Sequence, residues 1–309
     1  MKFAFVFPGQ GSQSVGMMAA YGDHAVVRDT FAEASEALGQ DLWALVQDGP
    51  AEQLNLTVNT QPAMLAAGVA VYRLWQAQGG PAASLMAGHS LGEYTALTCA
   101  GAIGFKDAVK LVRLRAEAMQ GAVAEGVGAM AAVLGLDDDV VRAVCAEAAQ
   151  GEVLEAVNFN SPGQVVIAGN KAAVERGMAL AKEKGAKRAL PLPVSVPSHC
   201  ALMKPAAEKL LAAMQAIEIK APGVPVIQNA DVAAFSDASQ IRDALARQLY
   251  SPVRWVESVR HIAAQGAELM LEAGPGKVLA GLNKRIVEVP TLALADAAGL
   301  AEALAKVNG

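Results

Sequence analysis

The segment Gly88-His-Ser-Leu-Gly92 holds the residues whose types and spacing point most directly to chemistry. It follows a short apolar run, Leu85 to Ala87, and leads into a stretch that is typical of a buried helix. The two glycines let the chain reverse between strand and helix, where a Cβ would clash with either element. Such a turn lifts a serine hydroxyl to a helix N-terminus, where it can attack a carbonyl carbon. The pattern predicts Ser90 as a nucleophile, with an incidental serine in a glycine-rich turn as the alternative.

A serine nucleophile needs a general base, and His199 is the leading candidate among four histidines. It follows the proline-containing segment Val196-Pro-Ser and precedes a predicted helix over 201–217. Taken alone, a loop histidine is more often structural or exposed, and only the serine turn upstream favours the base. His89 adjoins Ser90, but its side chain is expected to point away from the next residue's hydroxyl. We interpret His89 as a pocket-lining or structural group.

A Ser-His-Asp relay would require an aspartate after His199, and no clear candidate follows. Asp231 and Asp237 come later, but both lie in a region with a loop-like pattern. This gap counts against a standard hydrolase triad.

Two arginines on a predicted helix over 105–123 have different surroundings. Arg113 has Glu117 four residues on and Lys110 three before, so we expect it to be solvated. Arg115 has apolar neighbours at helical spacing, and a guanidinium there needs a carboxylate partner. That carboxylate can come from the protein, as an internal salt bridge, or from a ligand. A side chain that snorkels to solvent is a further alternative.

The elements that must position these residues begin with an apolar, β-prone run, Phe3 to Phe7, which ends at a proline. Helices are predicted over 25–38 and 61–78, the second with Asn59 or Thr60 as its N-cap. The strand before Ser90 follows. Strands alternating with helices in this order predict a parallel sheet with right-handed crossovers.

The loop Pro8-Gly-Gln-Gly-Ser-Gln13 has glycines where backbone amides could approach a ligand. A dinucleotide fingerprint would place a third glycine near position 14, where Ser14 stands, so a cofactor site is weakly supported. A connecting loop is the other interpretation.

A second architecture is predicted between Val127 and Val194. Strands over 129–136, 153–158, 164–168 and 188–194 combine with helices over 137–150 and 171–184 to give a βαββαβ order. This order is typical of a ferredoxin-like unit with an antiparallel sheet. We therefore predict an α/β core with a parallel sheet, formed by residues 1–126 and 195–309, with a ferredoxin-like small domain inserted at 127–194. Beyond residue 217, the core continues with strands over 224–228, 268–272 and 289–293 and helices over 241–249 and 253–265.

Composition narrows the class of protein. The 309 residues are 53% hydrophobic and 18% charged, which indicates a compact globular chain. The net charge of −5 and the absence of a basic tract argue against nucleic acid or an anionic membrane as a partner. Three widely spaced cysteines match no metal-binding pattern and favour a reducing compartment. With neither a secretory signal nor an apolar run of membrane-spanning length, we expect a cytoplasmic protein.

Taken together, the motifs resemble those of the malonyl-CoA:acyl carrier protein transacylases of bacterial type II fatty acid synthesis. The resemblance extends from Phe3 to about Arg285 and departs from the family pattern at Ser251, where asparagine is familiar. The matching segments are Pro8 to Gln13, Gly88 to Glu93, the Arg115 helix through Gln120, Asn158 to Gln164, Val196 to His199, Gln248 to Val253, and Glu272 to Lys277.

The resemblance implies an α/β-hydrolase-like core with the ferredoxin-like insert. It also implies a ping-pong transfer of malonyl from malonyl-CoA to the phosphopantetheine thiol of acyl carrier protein. It implies Ser90 as the nucleophile and His199 as the base. The histidine would be oriented by the backbone carbonyl of Gln248, which accounts for the missing acid. The backbone amides of Gln10 and Leu91 would hold the oxyanion.

The resemblance also places the substrate-binding arginine at Arg115, and we assign His89 and Asn158 to the same substrate-binding set. No metal or bound cofactor is implied. The competing classes are a thioesterase, a polyketide or malonate-decarboxylase acyltransferase, and a non-enzymatic carrier-binding protein.

Overall fold

The computed structural model describes residues 1–194 and 196–309. Within these ranges the strands are β1 Phe3–Phe7, β2 Leu85–Gly88, β3 Gly128–Leu134, β4 Leu154–Ser161, β5 Gln164–Asn170, β6 Arg188–Pro191, β7 Val226–Ile227, β8 Leu269–Glu272 and β9 Thr291–Ala293. The helices are α1 Ala25–Leu38, α2 Leu42–Asp48, α3 Ala51–Leu54, α4 Thr57–Ala77, α5 Leu91–Cys99, α6 Phe105–Gln120, α7 Asp138–Ala149, α8 Lys171–Glu183, α9 Lys204–Met214, α10 Ala238–Gln248, α11 Trp255–Ala264, α12 Val278–Asn283 and α13 Ala297–Asn308. None of these helices combines the length and apolar composition that crossing a bilayer would require.

A five-stranded parallel sheet forms the centre of the larger part, in the order β7-β2-β1-β8-β9. Every residue of β1, β2 and β8 is buried, as expected for parallel strands covered on both faces by helices. On one face, Phe5 packs edge-on against Tyr72 and Trp75 of α4. The predicted α/β class with a parallel sheet is confirmed. Because parallel strands end at the same edge, residues that follow β1, β2 and β7 meet there.

The second sheet is antiparallel, with the order β4-β5-β3-β6. Its elements follow the chain order βαββαβ, and α7 and α8 pack together against it. These elements share a core of their own, built around Val133, Val144, Ile167 and Val174. The domain boundaries after residues 126 and 194 stay a prediction.

The two sheets are joined at β4. The backbone amide of Phe159 donates to the carbonyl of Val253, at 3.0 Å, and the amide of Val253 donates to the carbonyl of Val157, at 2.8 Å. The segment between α10 and α11 therefore pairs with β4 at Val253, through a parallel bridge to Asn158. This contact brings the second sheet to the carboxyl edge of the parallel sheet.

Helix α4 differs from its prediction because it begins at Thr57 and not at residue 61. Neither Asn59 nor Thr60 is its N-cap. The Asn59 amide donates to the carbonyl of Gln53, and the Thr60 hydroxyl donates to that of Leu54. These side chains tie α4 to α3, so polar residues that resemble caps lie inside the helix.

Other elements differ in extent. The helix predicted over 201–217 is a 3₁₀ turn, Ala201–Met203, followed by α9, whose early proline suits a first helical turn. Strand β7 has two residues instead of the five predicted. Helices α2 and α3 were not predicted, nor was α13, which the Asp296 side chain caps through the amide of Gly299 at 2.7 Å.

Candidate active site

The turn around Ser90 has the geometry that the glycine spacing predicts. Strand β2 ends at Gly88, α5 begins at Leu91, and Ser90 between them adopts φ 51° and ψ −108°. A Cβ on Gly88 would lie 1.9 Å from the carbonyl of Gly92, and a Cβ on Gly92 would lie 2.1 Å from that of Phe7. Both contacts are impossible, so only glycine fits at either position.

His199 contacts Ser90, although the two residues are 109 positions apart in the sequence. Its Nε2 is 2.8 Å from Ser90 Oγ, and its Nδ1 is 2.7 Å from the backbone carbonyl of Gln248. A carbonyl only accepts hydrogen bonds, so Nδ1 carries the proton and Nε2 is left to accept the serine hydroxyl. The backbone amide of His199 also donates to the carbonyl of Leu249, at 3.0 Å. One turn at the end of α10 thus orients both the ring and the backbone of His199.

Burial lowers the pKa of His199 to about 3, and the nearby Arg115 charge acts in the same direction. The imidazole is therefore neutral at neutral pH, the form that accepts a proton.

The aspartates that follow His199 in the sequence do not contact it. Asp231 pairs with Arg247 at 3.0 Å, and Asp237 caps α10 through the amide of Ser239. In the described ranges, the carbonyl of Gln248 stands where a relay would use a carboxylate.

Arg115 lies on α6 with 1% of its surface exposed, which excludes snorkelling. Its guanidinium donates to Gln61 Oε1 at 2.8 Å, to Gln248 Oε1 at 2.9 Å, and to Ser90 Oγ at 3.2 Å. All these acceptors are neutral. No carboxylate within residues 1–194 and 196–309 forms a salt bridge with Arg115, so the interpretation as an internal ion pair is wrong. Buried without a counter-charge, Arg115 provides a site for an anionic group beside the serine.

The expectation that Arg113 is solvated is wrong. Its side chain is half-buried and donates to Asn59 Oδ1, at 3.3 Å, and to Gln40 Oε1. Both partners come from segments far from α6 in sequence, which helical spacing alone does not reveal.

Gln10 and Leu91 both line the cleft in front of Ser90. The loop after β1 approaches the turn so closely that a Cβ on Gly9 would lie 2.5 Å from the carbonyl of His89. Leu91 is the first residue of α5, so its amide has no partner within the helix. Neither this amide nor that of Gln10 donates to another part of the described chain. Two free donors in this position can hold an oxyanion.

His89 is turned away from Ser90, toward the second sheet. Its Nε2 donates to Asn160 Oδ1 at 2.7 Å, and its ring lies 5.5 Å from that of Trp255. Asn158 also lines the cleft, two residues before Asn160 on β4. Of these two asparagines, only Asn158 is among the site residues predicted from the sequence, although their spacing of two on a strand places both on one face.

The cleft between the two sheets has a volume of about 210 Å³. Polar groups gather at its base around Ser90, and apolar residues of the second sheet and its connections form the opposite wall. The lining residues are Gln10, Thr57, Gln61, His89, Ser90, Leu91, Arg115, Met119, Met130, Asn158, Asn160, Val166, Leu192, Val194, Val196, Ser198 and His199.

Comparison with known proteins relates the chain to acyltransferases. The family model described as the acyl transferase domain matches residues 4–300. The malonyl CoA-acyl carrier protein transacylase of Salmonella typhimurium is 62% identical over 305 residues, covering 98% of this chain and 99% of the relative. A crystal structure of acyl-carrier-protein S-malonyltransferase from Burkholderia pseudomallei is 62% identical, with a TM-score of 0.97 over 99% of this chain and all of that one.

A second similar structure is a type II PKS acyl-carrier protein in complex with its malonyl-transacylase. It is 58% identical, with a TM-score of 0.97 over 99% of this chain and 100% of that one. The match thus includes both sheets and the whole site described above. The chain belongs to the acyl transferase family.

Proposed function

We propose that the protein transfers a malonyl group from malonyl-CoA to the phosphopantetheine thiol of acyl carrier protein, through a malonyl ester on Ser90. The observation that carries the proposal is the pair of contacts at Ser90 Oγ, 2.8 Å from His199 Nε2 and 3.2 Å from the buried guanidinium of Arg115. The nucleophilic oxygen thus lies within hydrogen-bond distance of both a general base and a site for a carboxylate. The names of the relatives, which are malonyl transferases, support the same substrate.

In the first half-reaction, Ser90 Oγ attacks the thioester carbonyl while its proton passes to His199 Nε2. The oxygen that becomes negative accepts hydrogen bonds from the amides of Gln10 and Leu91. The carbon–sulfur bond then breaks, and the coenzyme A sulfur leaves as a thiol with the proton from His199. The Gln248 carbonyl keeps the imidazole oriented and stabilises the imidazolium that forms.

The second half-reaction repeats these steps with another nucleophile. The phosphopantetheine thiol gives its proton to His199 and attacks the malonyl ester. The carbon–oxygen bond breaks, and Ser90 recovers the proton. The first half-reaction leaves the malonyl ester that the second one consumes, and the second restores the serine hydroxyl. Both return the imidazole to its neutral form.

The experiment that tests the proposal is an intact-mass measurement after mixing the protein with malonyl-CoA, followed by peptide mapping. We expect a mass increase of one malonyl group, located on the peptide that contains Ser90. A protein that gains no acyl group under turnover conditions would contradict the proposal.

Arg115 is proposed to select malonyl over acetyl. A carboxylate can accept two parallel hydrogen bonds from a guanidinium, and it supplies the counter-charge that the buried Arg115 lacks. Acetyl offers neither, so it leaves the charge buried and unpaired. Discrimination therefore includes a penalty on the wrong substrate.

Replacing Arg115 by alanine should lower malonyl transfer by tens to thousands of fold, because losing a buried charged pair costs roughly 2–5 kcal/mol. Transfer of acetyl should be kept or rise. Arg115→Lys should fall between, since lysine keeps the charge and loses the bidentate geometry. The measurement is kcat/KM for malonyl-CoA and acetyl-CoA in each variant.

The control for these variants is Lys110→Ala, which removes an exposed cation from the same helix. We expect it to match the parent protein with both substrates. If Arg115→Ala transferred malonyl as well as the parent, the arginine would be structural and the substrate assignment would fail.

The low pKa of His199 predicts an unusual pH profile. Only neutral imidazole acts as base, and with a pKa of about 3 that form persists far below pH 6.5. We expect kcat/KM for malonyl-CoA to show no inflection near pH 6.5 when it is measured from pH 8 to pH 5. Samples returned to pH 7.5 should regain full activity, which controls for unfolding. A loss of rate centred near pH 6.5 would show that His199 titrates as an ordinary histidine.

The pathway is part of the proposal. A role in fatty acid synthesis is favoured by the motifs shared with the transacylases of that pathway, and the Salmonella typhimurium relative is named as a malonyl CoA-acyl carrier protein transacylase. The three free cysteines favour a reducing compartment such as the cytoplasm. The relative bound to a type II PKS carrier favours a polyketide carrier as a second candidate partner. Comparing kcat/KM for loaded fatty-acid and polyketide carrier proteins separates the two, since the physiological carrier should have the higher value.

A further inference from the structure

We propose that Asn229 is a positioning residue that holds Ser90 in its reactive backbone conformation, and that the buried side chain of Glu93 holds Asn229 in turn. The inference rests on the proposed function of Ser90 as the nucleophile. Neither residue touches the reacting atoms, and neither was singled out from the sequence.

The backbone of Ser90 needs an external support. Its φ of 51° lies in a region that residues other than glycine rarely adopt, and its side chain does not cap α5. Conformations of this kind persist where surrounding structure over-determines them. At Ser90, the conformation sets the direction of Oγ toward His199 and of the Leu91 amide toward the cleft.

Asn229 spans the turn with one side-chain amide. Its Oδ1 accepts from the backbone amide of Ser90 at 2.7 Å, and its Nδ2 donates to the backbone carbonyl of Gly88 at 2.7 Å. Asn229 is fully buried, so water cannot replace these bonds. One side chain thereby fixes both ends of the peptide segment that leads into Ser90.

Glu93 closes this arrangement into a ring. Its Oε2 accepts from the backbone amide of Asn229 at 2.7 Å, while its own amide donates to the carbonyl of Ser90 at 3.1 Å. Burial raises the pKa of Glu93 to about 8, which favours the neutral form near pH 7, and Oε2 acts in this contact as a hydrogen-bond acceptor. A glutamine can take that role.

The loop that carries Asn229 is held by further contacts. Val232 has φ 53°, an outlier for a β-branched residue, and its amide donates to the carbonyl of Gln228 at 2.9 Å. Asp231 pairs with Arg247 of α10, the helix whose end orients His199. The loop that positions Ser90 is thus joined by an ion pair to the helix that positions His199.

The test compares Asn229→Ala with the parent protein in three measurements: the single-turnover rate of acylation by malonyl-CoA, the Kd for malonyl-CoA, and the rate of labelling by a fluorophosphonate. We expect acylation and labelling to slow by roughly tenfold to a thousandfold, the scale of a small misplacement of a reacting group. The Kd should stay within about threefold, because Arg115 is untouched.

Labelling by the fluorophosphonate needs a reactive serine and no malonyl group, so it separates this inference from the proposed function. A parent protein that is labelled but not acylated would refute malonyl transfer and leave the role of Asn229 testable. Asn283→Ala is the matched control, since Asn283 is also fully buried but bonds to Trp255 and Thr291, away from Ser90. Its folded fraction should react at the parent rate.

Two further variants complete the test. Asn229→Asp has the same shape and keeps the acceptor for the Ser90 amide, but it loses the donor to the Gly88 carbonyl. It should therefore react more slowly than the parent with an unchanged Kd. It decides the matter if Asn229→Ala does not fold. Glu93→Gln should keep at least half of the parent rate, whereas Glu93→Ala should lose about tenfold. Folded Asn229→Ala or Asn229→Asp that reacts at the parent rate overturns the proposal, as does Glu93→Ala with the rate of Glu93→Gln.

Discussion

Ser90→Ala should gain no mass with malonyl-CoA and should transfer no malonyl to acyl carrier protein. The substitution removes the only oxygen that lies within hydrogen-bond distance of both His199 Nε2 and the Arg115 guanidinium in the described residues. The backbone contacts of the turn, from Asn229 and the two glycines, do not involve the serine hydroxyl. We therefore expect a folded protein whose transfer rate falls by roughly four orders of magnitude or more.

The matched control is Ser198→Ala. Ser198 also lines the cleft, but among residues 1–194 and 196–309 its hydroxyl bonds only to the carbonyl of Val196, at 3.5 Å. Its variant should be acylated like the parent. A Ser90→Ala protein that still carried malonyl after peptide mapping would remove Ser90 from the account.

His199→Ala should slow both half-reactions by about a hundredfold to ten-thousandfold, the usual contribution of acid–base catalysis. Without the imidazole, no described group that bonds to Ser90 Oγ can take its proton, because the Arg115 guanidinium only donates. Because His199 acts as base in both half-reactions, the two should be measured separately, each as a single turnover: acylation of Ser90 by malonyl-CoA, and transfer of malonyl from Ser90 to acyl carrier protein.

His24→Ala serves as the control, because His24 is exposed at the start of α1 and its side chain does not cap the helix. It should leave both rates unchanged. If His89→Ala were crippled while His199→Ala reacted almost normally, the base would be the other histidine of the cleft.

The local parts of the structure could be predicted from the sequence because the physics that sets them is local. Glycine at positions 88 and 92 follows from the close approach of backbone atoms, and the order βαββαβ follows from hydrophobic periodicity. The apolar neighbours of Arg115 showed that its guanidinium needs a partner or a path to solvent, and the structure buries it.

The remaining features depend on contacts between distant segments. Asn229 lies 139 residues from Ser90, and Gln61 lies 54 residues from Arg115. A single sequence shows where asparagine and glutamine residues occur, but it does not show which polar groups their side chains contact in the folded protein. The same limit explains the wrong expectation for Arg113, whose partner Gln40 lies 73 residues away. For Asn229 one signal existed, since it follows β7 and polar residues at the carboxyl ends of parallel strands share an edge.

The central claim is that the acyl group moves from a serine ester to a carrier thiol and not to water. The most direct measurement isolates the protein acylated by malonyl-CoA, mixes it with holo acyl carrier protein, and follows a single turnover by mass spectrometry of both proteins. We expect the malonyl group to leave the peptide that contains Ser90 and to appear on the phosphopantetheine of the carrier, at a rate that rises with carrier concentration. Release of free malonate at a rate independent of the carrier would contradict the account and would identify the protein as a hydrolase.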